Sequence, residues 1–254
     1  MNHFAGYFAQ ELKRSIISLR FILCSIGVFI IHLLSVWWDI QASYSSVAYY
    51  YFVARVMGIE NLFLVLTVIP GALTFQMDME STFARMVLNR CSKLSYLISK
   101  TATAFASAAL VSIFGDAMFI GGLSIFFPIW DTSFSNQVNA VTIWDNHAMY
   151  FLYYMLIRAF GAAFFSLVTL VMSLYVQNVF VVLSVPIAGY YLWETISDFL
   201  QFPSWMDIRH LLSGTALGWE SIDNMLFSLA AFLLLSVLMG VYFIYTGRRK
   251  LSNG

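Results

Sequence analysis

The amino-acid sequence predicts an all-α membrane protein with six transmembrane helices. Of its 254 residues, 61% are hydrophobic and only 10% are charged, whereas about a quarter of residues are charged in soluble domains. A helix needs roughly 20 mostly apolar residues to cross a bilayer, far more than the roughly 9–11 residues of a membrane strand. Six apolar runs approach or exceed that helical length, at residues 21–38, 56–76, 100–127, 149–176, 179–196 and 224–246.

The distribution of basic residues predicts the orientation. Six crossings place both termini on one side of the membrane, together with the 77–99 loop and the turn near 177–178. That side holds ten of the thirteen Lys and Arg residues, so the positive-inside rule makes it cytoplasmic. All seven tryptophans lie at or beyond the opposite ends of the apolar runs, where aromatic rings favour the interface. We expect a multi-pass protein of the plasma membrane with both termini in the cytoplasm.

Residues 1–20 are predicted to form an interfacial amphipathic helix that precedes one membrane domain over residues 21–254. At 100° per residue, one arc of this helix is shared by Phe4, Phe8, Leu12, Ile16 and Leu19. Lys13 and Arg20 flank the arc, where their charges can reach lipid headgroups. A helix of this kind lies in the membrane surface, although docking on a soluble partner remains open.

The connections between the apolar runs differ in character. An aromatic stretch at residues 44–52 is expected to be an external loop. The second run contains Pro70 and Gly71, and because proline lacks a backbone donor it should bend the helix there. Ser92 is expected to cap the third helix, which begins in the cytoplasm. Residues 197–223 are apolar but interrupted, which predicts short re-entrant external helices before the last crossing.

The polar stretch between the second and third crossings predicts a surface helix. Residues 77–100 hold four of the thirteen basic residues. Phe83 and Val87 share an apolar face, while Arg85 and Asn89 point away from it. The pattern predicts a short helix at residues 79–88 lying along the cytoplasmic membrane surface, with an ordinary positively charged loop as the alternative.

Two charges within the apolar runs are predicted to form an ion pair. Charged groups inside a bilayer are costly and are normally paired. Asp116 lies about twelve residues before the outer end of the third run, and Arg158 lies about ten residues into the fourth from the same side. At ~1.5 Å per residue their depths match. A clasp between two helices is favoured over a substrate site, and both readings remain open.

Two further side chains in the apolar runs are candidates for polar roles. His32 is the only histidine in a run, and a lone histidine there is more often a hydrogen-bonded structural residue than a proton relay. Glu194, near the outer end of the fifth run, is the remaining acidic candidate for lining an exit path.

The sequence lacks the motifs of several enzyme classes. It contains no G-x-x-x-x-G-K-[ST] phosphate loop, H-E-x-x-H zinc motif or G-x-S-x-G nucleophile motif. Cys24 and Cys91, its two cysteines, form neither a predicted disulfide nor a metal set. We therefore expect a chain that is not an enzyme and binds no cofactor or metal itself.

The order of these elements resembles the type-2 ABC exporter permeases, the membrane subunits of ATP-driven exporters. The resemblance covers nearly the whole chain and includes the interfacial helix, the six crossings and the basic first cytoplasmic loop. Before the third crossing, the family's arginine-serine-tyrosine pattern resembles LNRCSKLSY at residues 88–96. A proline-plus-tryptophan feature of the family is similar to PSWM at 203–206. The second proline usual downstream is absent.

The resemblance implies a division of labour between chains. A coupling helix would dock on the ATP-binding subunit through Met79, Glu80, Phe83, Arg85, Met86, Leu88, Asn89 and Arg90. ATP and Mg would be bound by two such partner subunits, and the permease would pair with a second copy or a similar permease. The implied setting is a bacterial plasma membrane, with lipid but no nucleic acid as a further partner.

The cargo is expected to be hydrophobic or amphipathic, such as a drug, an antimicrobial peptide or a lipid, because the predicted walls are rich in Phe and Met. An ATP-independent channel or secondary transporter is the alternative. That class favours discontinuous helices with polar groups in the middle of the membrane.

Overall fold

The computed structural model describes residues 2–42, 45–56, 60–80, 87–88, 91–131, 147–217 and 222–253. These residues form helices and connecting turns, with no strand among them. The ten α-helices discussed below are α1 Asn2–Ile16, α2 Leu19–Ala42, α3 Val47–Val56, α4 Phe63–Val68, α5 Ala72–Glu80, α6 Lys93–Leu123, α7 His147–Met172, α8 Val179–Leu200, α9 Ile208–Ser213 and α10 Ile222–Asn253. The chain is an all-α membrane protein.

Five of these helices are long and apolar enough to cross a membrane, namely α2, α6, α7, α8 and α10. In α7, 72% of the most apolar stretch is buried, against 17% in α8, so α7 is central and α8 peripheral. We use "basic end" for the end of the bundle that holds α1, the first turns of α6 and the last turns of α10.

The apolar run at residues 56–76, predicted as a crossing with a bend at Pro70, is divided into short segments in the structure. The chain passes between α2 and α6 through α3, a 3-10 turn at Glu60–Leu62, α4 and α5. The interruption between α4 and α5 lies at Pro70 and Gly71, as the sequence predicts. A Cβ added at Gly71 would meet Cα of Ala104 at 2.7 Å. The turn therefore packs directly on the α6 backbone, and this contact requires a glycine.

The aromatic stretch at residues 44–52 is predicted to be an external loop, and this prediction is wrong for most of it. From residue 47 onward it forms α3, whose Tyr50 and Tyr51 are fully buried. The N–H groups of Val47 and Ala48 donate to the carbonyl oxygens of Pro128 and Ile129. These hydrogen bonds place the start of α3 beside the far end of α6, from which α3 runs back into the bundle.

The amphipathic helix ends earlier than predicted. α1 stops at Ile16, and Ser18 Oγ accepts a hydrogen bond from the N–H of Phe21 at 3.1 Å. Because a serine in this position satisfies a free N–H at a helix start, Ser18 begins α2 as a separate helix. The row that α1 buries is Tyr7, Glu11 and Ser15. Of the predicted apolar arc beside that row, Phe8, Leu12 and Ile16 are partly buried and Leu19 is exposed.

Helix caps fix the remaining boundaries. The Ser92 side chain accepts from the N–H of Ser95 and starts α6, as predicted. Asn178 starts α8 in the same way, and Asp207 starts α9. Gly214 ends α9 with φ of 73°, a left-handed conformation that glycine adopts without strain. A 3-10 turn at Ser204–Met206 and the six-residue α9 thus separate α8 from α10.

Candidate functional site

A buried polar cluster, called here the deep cluster, consists of His32, Tyr51, Asp116 and Arg158. Its members come from α2, α3, α6 and α7, and each is at most 1% exposed. The structure brings together the two residues that the sequence pairs: Nε of Arg158 lies 3.6 Å from Oδ2 of Asp116. Matched depth on neighbouring antiparallel helices accounts for this contact.

Two residues that sequence reasoning did not assign to this pair complete the coordination of Asp116. Nε2 of His32 lies 2.8 Å from Oδ1 of Asp116, and the Tyr51 hydroxyl donates to Oδ2 at 3.2 Å. The carboxylate therefore has partners on three other helices. The cluster joins α2, α3 and α7 to α6.

The position of His32 allows two hydrogen-bond arrangements. Its Nε2 also lies 3.2 Å from NH2 of Arg158. A single ring nitrogen either carries a proton and donates to Asp116 or lacks one and accepts from Arg158. The guanidinium carbon of Arg158 is 4.4 Å from the centre of the Phe63 ring on α4, and this cation–π contact adds a fifth helix to the cluster.

A second group of charges, called here the basic-end cluster, consists of Glu11, Arg14, Asp78 and Lys100. Nζ of Lys100 lies 2.8 Å from Glu11 Oε2 and 2.5 Å from Asp78 Oδ2. Arg14 NH1 lies 3.1 Å from Asp78 Oδ1. Glu11, Asp78 and Lys100 are buried, whereas Arg14 is half-exposed. The cluster ties α1 to α5 and to α6.

Hydrogen bonds surround the basic-end cluster. Tyr7 donates its hydroxyl proton to Glu11 Oε1 at 3.1 Å. Burial, followed by the neighbouring Glu11 carboxylate, raises the pKa of Tyr7 far above its usual value, so the phenol remains a donor. One turn further along α1, Ser15 Oγ donates to the carbonyl oxygen of Pro70 at 2.9 Å. This hydrogen bond also connects α1 to the break between α4 and α5.

Most of the predicted coupling segment falls outside the described residues. This applies to Phe83, Arg85, Met86, Asn89 and Arg90. Of the others, Met79 is exposed in the last turn of α5, and Glu80 ends that helix. Leu88, together with Val87 and Cys91, is partly buried against the apolar cluster at the basic end, whose members include Phe75, Tyr96 and Phe243.

Glu194 belongs to an ion-pair group at the opposite end of the bundle. Its Oε1 lies 3.5 Å from Arg209 NH1, and Arg209 also pairs with Asp198 and Asp207. Burial by itself raises the pKa of Asp207, but hydrogen bonds from the side chain and backbone of Arg209 outweigh it and hold the pKa below its usual value. This group links α8 to α9.

Both buried clusters connect helices to one another. The described residues hold no group of three His, Cys, Asp or Glu side chains that could bind a metal ion. The two buried clusters instead connect helices at two depths, and α6 contributes to both. Comparison with protein-family models, with curated proteins and with solved structures finds no match to this chain.

Proposed function

We propose that this chain is the permease subunit of an ATP-driven exporter of the type-2 ABC class, energised by a separate ATP-binding subunit. The observation that carries the proposal is the basic-end cluster. Lys100 on α6 and Asp78 on α5 are ion-paired, and these two helices flank the basic loop at 81–92. Glu11 and Arg14 of α1 belong to the same cluster. A partner that displaces the loop would therefore move α5, α6 and α1 together.

The contacts of Val87, Leu88 and Cys91 support the same proposal. These residues pack on the apolar side chains of the basic end, so this part of the loop is in direct contact with the bundle helices. A docked partner that shifts a seated segment moves the helices beneath it. A loosely tethered loop would absorb the displacement instead.

The remaining architecture fits this function. In the proposed topology the segmented passage α3–α5 is the second of six crossings, and the basic end faces the cytoplasm of a bacterial cell. Short helices precede the last crossing, as in the family that the sequence resembles. Two ATP-binding subunits carrying ATP and Mg would dock on a pair of permeases, and the cargo would be a hydrophobic or amphipathic drug, peptide or lipid.

Co-purification tests this proposal. The chain is isolated from its native membranes in mild detergent, and the retained proteins are searched for a G-x-x-x-x-G-K-[ST] sequence and for ATPase activity. We expect the wild type to retain such a subunit and the double variant Arg85→Glu plus Arg90→Glu to lose it. Lys13→Glu plus Arg20→Glu changes the same number of charges outside the loop and should retain it. A wild type that retains no ATPase contradicts the proposal.

The deep cluster favours the second candidate, an ATP-independent channel or secondary transporter. Transporters of that kind use discontinuous helices and polar groups near mid-membrane, and here an interrupted passage lies beside Asp116, His32 and Arg158. Complete burial of the cluster is the argument for a clasp instead. Vesicles that contain the chain alone separate the two candidates: solute flux without ATP would favour the transporter, and its absence the exporter.

A further inference from the structure

A pocket rich in basic residues lies where the start of α6 meets the end of α10. It is lined by Lys93, Tyr245, Arg248 and Arg249 and has a volume of about 560 Å³. Nζ of Lys93 donates to the carbonyl oxygen of Leu251 at 2.8 Å, which holds the two helix ends together. Among the described residues, the lining of the pocket includes three cationic side chains and no acidic one. The pocket therefore suits an anion.

An apolar groove of about 480 Å³ runs between the same two helices. Its lining includes Ile98, Ala102, Phe105, Val237, Gly240 and Val241. At Gly240 a Cβ would meet Cγ2 of Thr101 at 3.0 Å, so the absent side chain brings the helices close at the floor of the groove.

Along both helices, the groove lies further from the basic end than the pocket does. Ile98 lies five residues beyond Lys93 along α6, and Ile244, which also lines the groove, lies four residues before Arg248 along α10. At ~1.5 Å per residue, the groove begins about 6–8 Å along the helix axes from the basic residues. This spacing is that of a phospholipid, in which the acyl chains begin just below the phosphate.

We infer that the pocket and groove together form a binding site for one anionic phospholipid of the leaflet at the basic end. The phosphate would lie among Lys93, Arg248 and Arg249, and an acyl chain would occupy the groove. Basic pockets between membrane helices recognise anionic headgroups, and a tyrosine at the rim is typical of the membrane interface. A soluble phosphate leaves the groove unused. The inference does not depend on the proposed export function.

Native mass spectrometry of the detergent-purified chain tests the headgroup half of the site. Dioleoyl phosphatidylglycerol and dioleoyl phosphatidylcholine are titrated separately, and bound lipid is counted. We expect tighter binding of phosphatidylglycerol. Each basic residue near a headgroup corresponds to about fivefold in affinity, so Arg248→Gln plus Arg249→Gln should weaken phosphatidylglycerol binding by about 30-fold. The control Lys13→Gln plus Arg20→Gln removes two exposed charges elsewhere and should change binding less than threefold.

A second arm tests the groove. Val237 and Leu234 both lie on α10 with 53% and 61% exposure, but only Val237 lines the groove. If the new side chain displaces two methylenes of an acyl chain, Val237→Trp should weaken binding by roughly tenfold, whereas Leu234→Trp should not. Glycerol 3-phosphate, a soluble headgroup, should not displace the lipid.

Several results would overturn the inference. Equal affinity of the wild type for the two lipids would show that the site has no preference for an anionic headgroup. Equal effects of the two glutamine pairs, or of the two tryptophan substitutions, would mean that lipid binds elsewhere. Displacement by millimolar glycerol 3-phosphate would indicate a simple anion site.

Discussion

The deep cluster makes a quantitative prediction about the stability of the bundle. Asp116→Asn and Arg158→Met each remove one charge at nearly constant side-chain volume, and the double variant removes both. In the native bundle the two groups approach to 3.6 Å in a fully buried position. Each single variant therefore leaves one buried charge without its ionic partner, whereas the double variant leaves none.

The structure sets an order for the three variants. Removing one member of a buried pair costs about 3–5 kcal/mol, and we expect Asp116→Asn to lie in this range because Arg158 loses its carboxylate partner. Arg158→Met should cost less, about 1–3 kcal/mol, because Asp116 keeps His32 and Tyr51 as donors. The double variant should lose only about 1 kcal/mol, since replacing a buried ion pair by neutral groups is often close to neutral.

Unfolding in mixed micelles, followed by circular dichroism, measures these free energies. Ser112→Ala, one turn away on the same buried face of α6, is the matched uncharged control and should change stability by less than about 1.5 kcal/mol, the upper value for an ordinary hydrogen bond. A coupling energy of about 2 kcal/mol or more indicates an ion pair. A value near 0.6 kcal/mol, the average for a hydrogen bond between membrane helices, or costs that simply add, would refute the reasoning.

Two further predictions concern the interruption in the second passage and the α8–α9 ion pairs. Gly71→Ala should lower the thermal midpoint and cost about 1–3 kcal/mol, because its Cβ would overlap Ala104; Gly121→Ala, where a Cβ meets nothing within 4 Å, should be tolerated. Because the pKa of Asp207 is lowered in the folded state, its stabilisation is present above an unfolded pKa of about 3.9 and is lost as pH falls through the folded pKa. Asp207→Asn should therefore cost about 1 kcal/mol at pH 7 and remove that acid-side loss, which is measured in melts from about pH 5 down to about pH 2.

Local signals in the sequence predicted local structure well. Ser92 as the cap of α6 and the interruption at Pro70 depend on backbone hydrogen bonds within a few residues. The Asp116–Arg158 contact required only helix rise and adjacency, because two antiparallel neighbours place residues of equal depth side by side. Each of these features follows from one or two helices taken alone.

The partners of Asp116 on α2 and α3 could not be predicted from the sequence. That His32 and Tyr51 join Asp116 depends on how α2 and α3 are rotated against α6, which no single helix specifies. The sequence pattern instead predicts an external loop at residues 44–52. In the structure the Tyr51 ring is buried and its hydroxyl is satisfied by Asp116.

A sequence signal did exist for the basic-end cluster. Tyr7, Glu11 and Ser15 recur every four residues and form one polar row on α1. A helix that contacts lipid on one face and protein on another is expected to carry both an apolar arc and a separate polar row. Its partners Asp78 and Lys100 could not be assigned from sequence, because they lie at the ends of two different helices.

The two clusters make α6 the connecting element of the bundle. Lys100 and Asp116 are 16 residues apart on one uninterrupted helix, a separation of about 24 Å at 1.5 Å per residue. The passage beside it, in contrast, is broken at residues 69–71. A continuous helix held at both depths, next to a segmented neighbour, would carry a displacement from the basic end to the deep cluster, while the neighbour would bend at its break. Either candidate function would use that asymmetry, because both require movement at one membrane surface to change contacts near the middle.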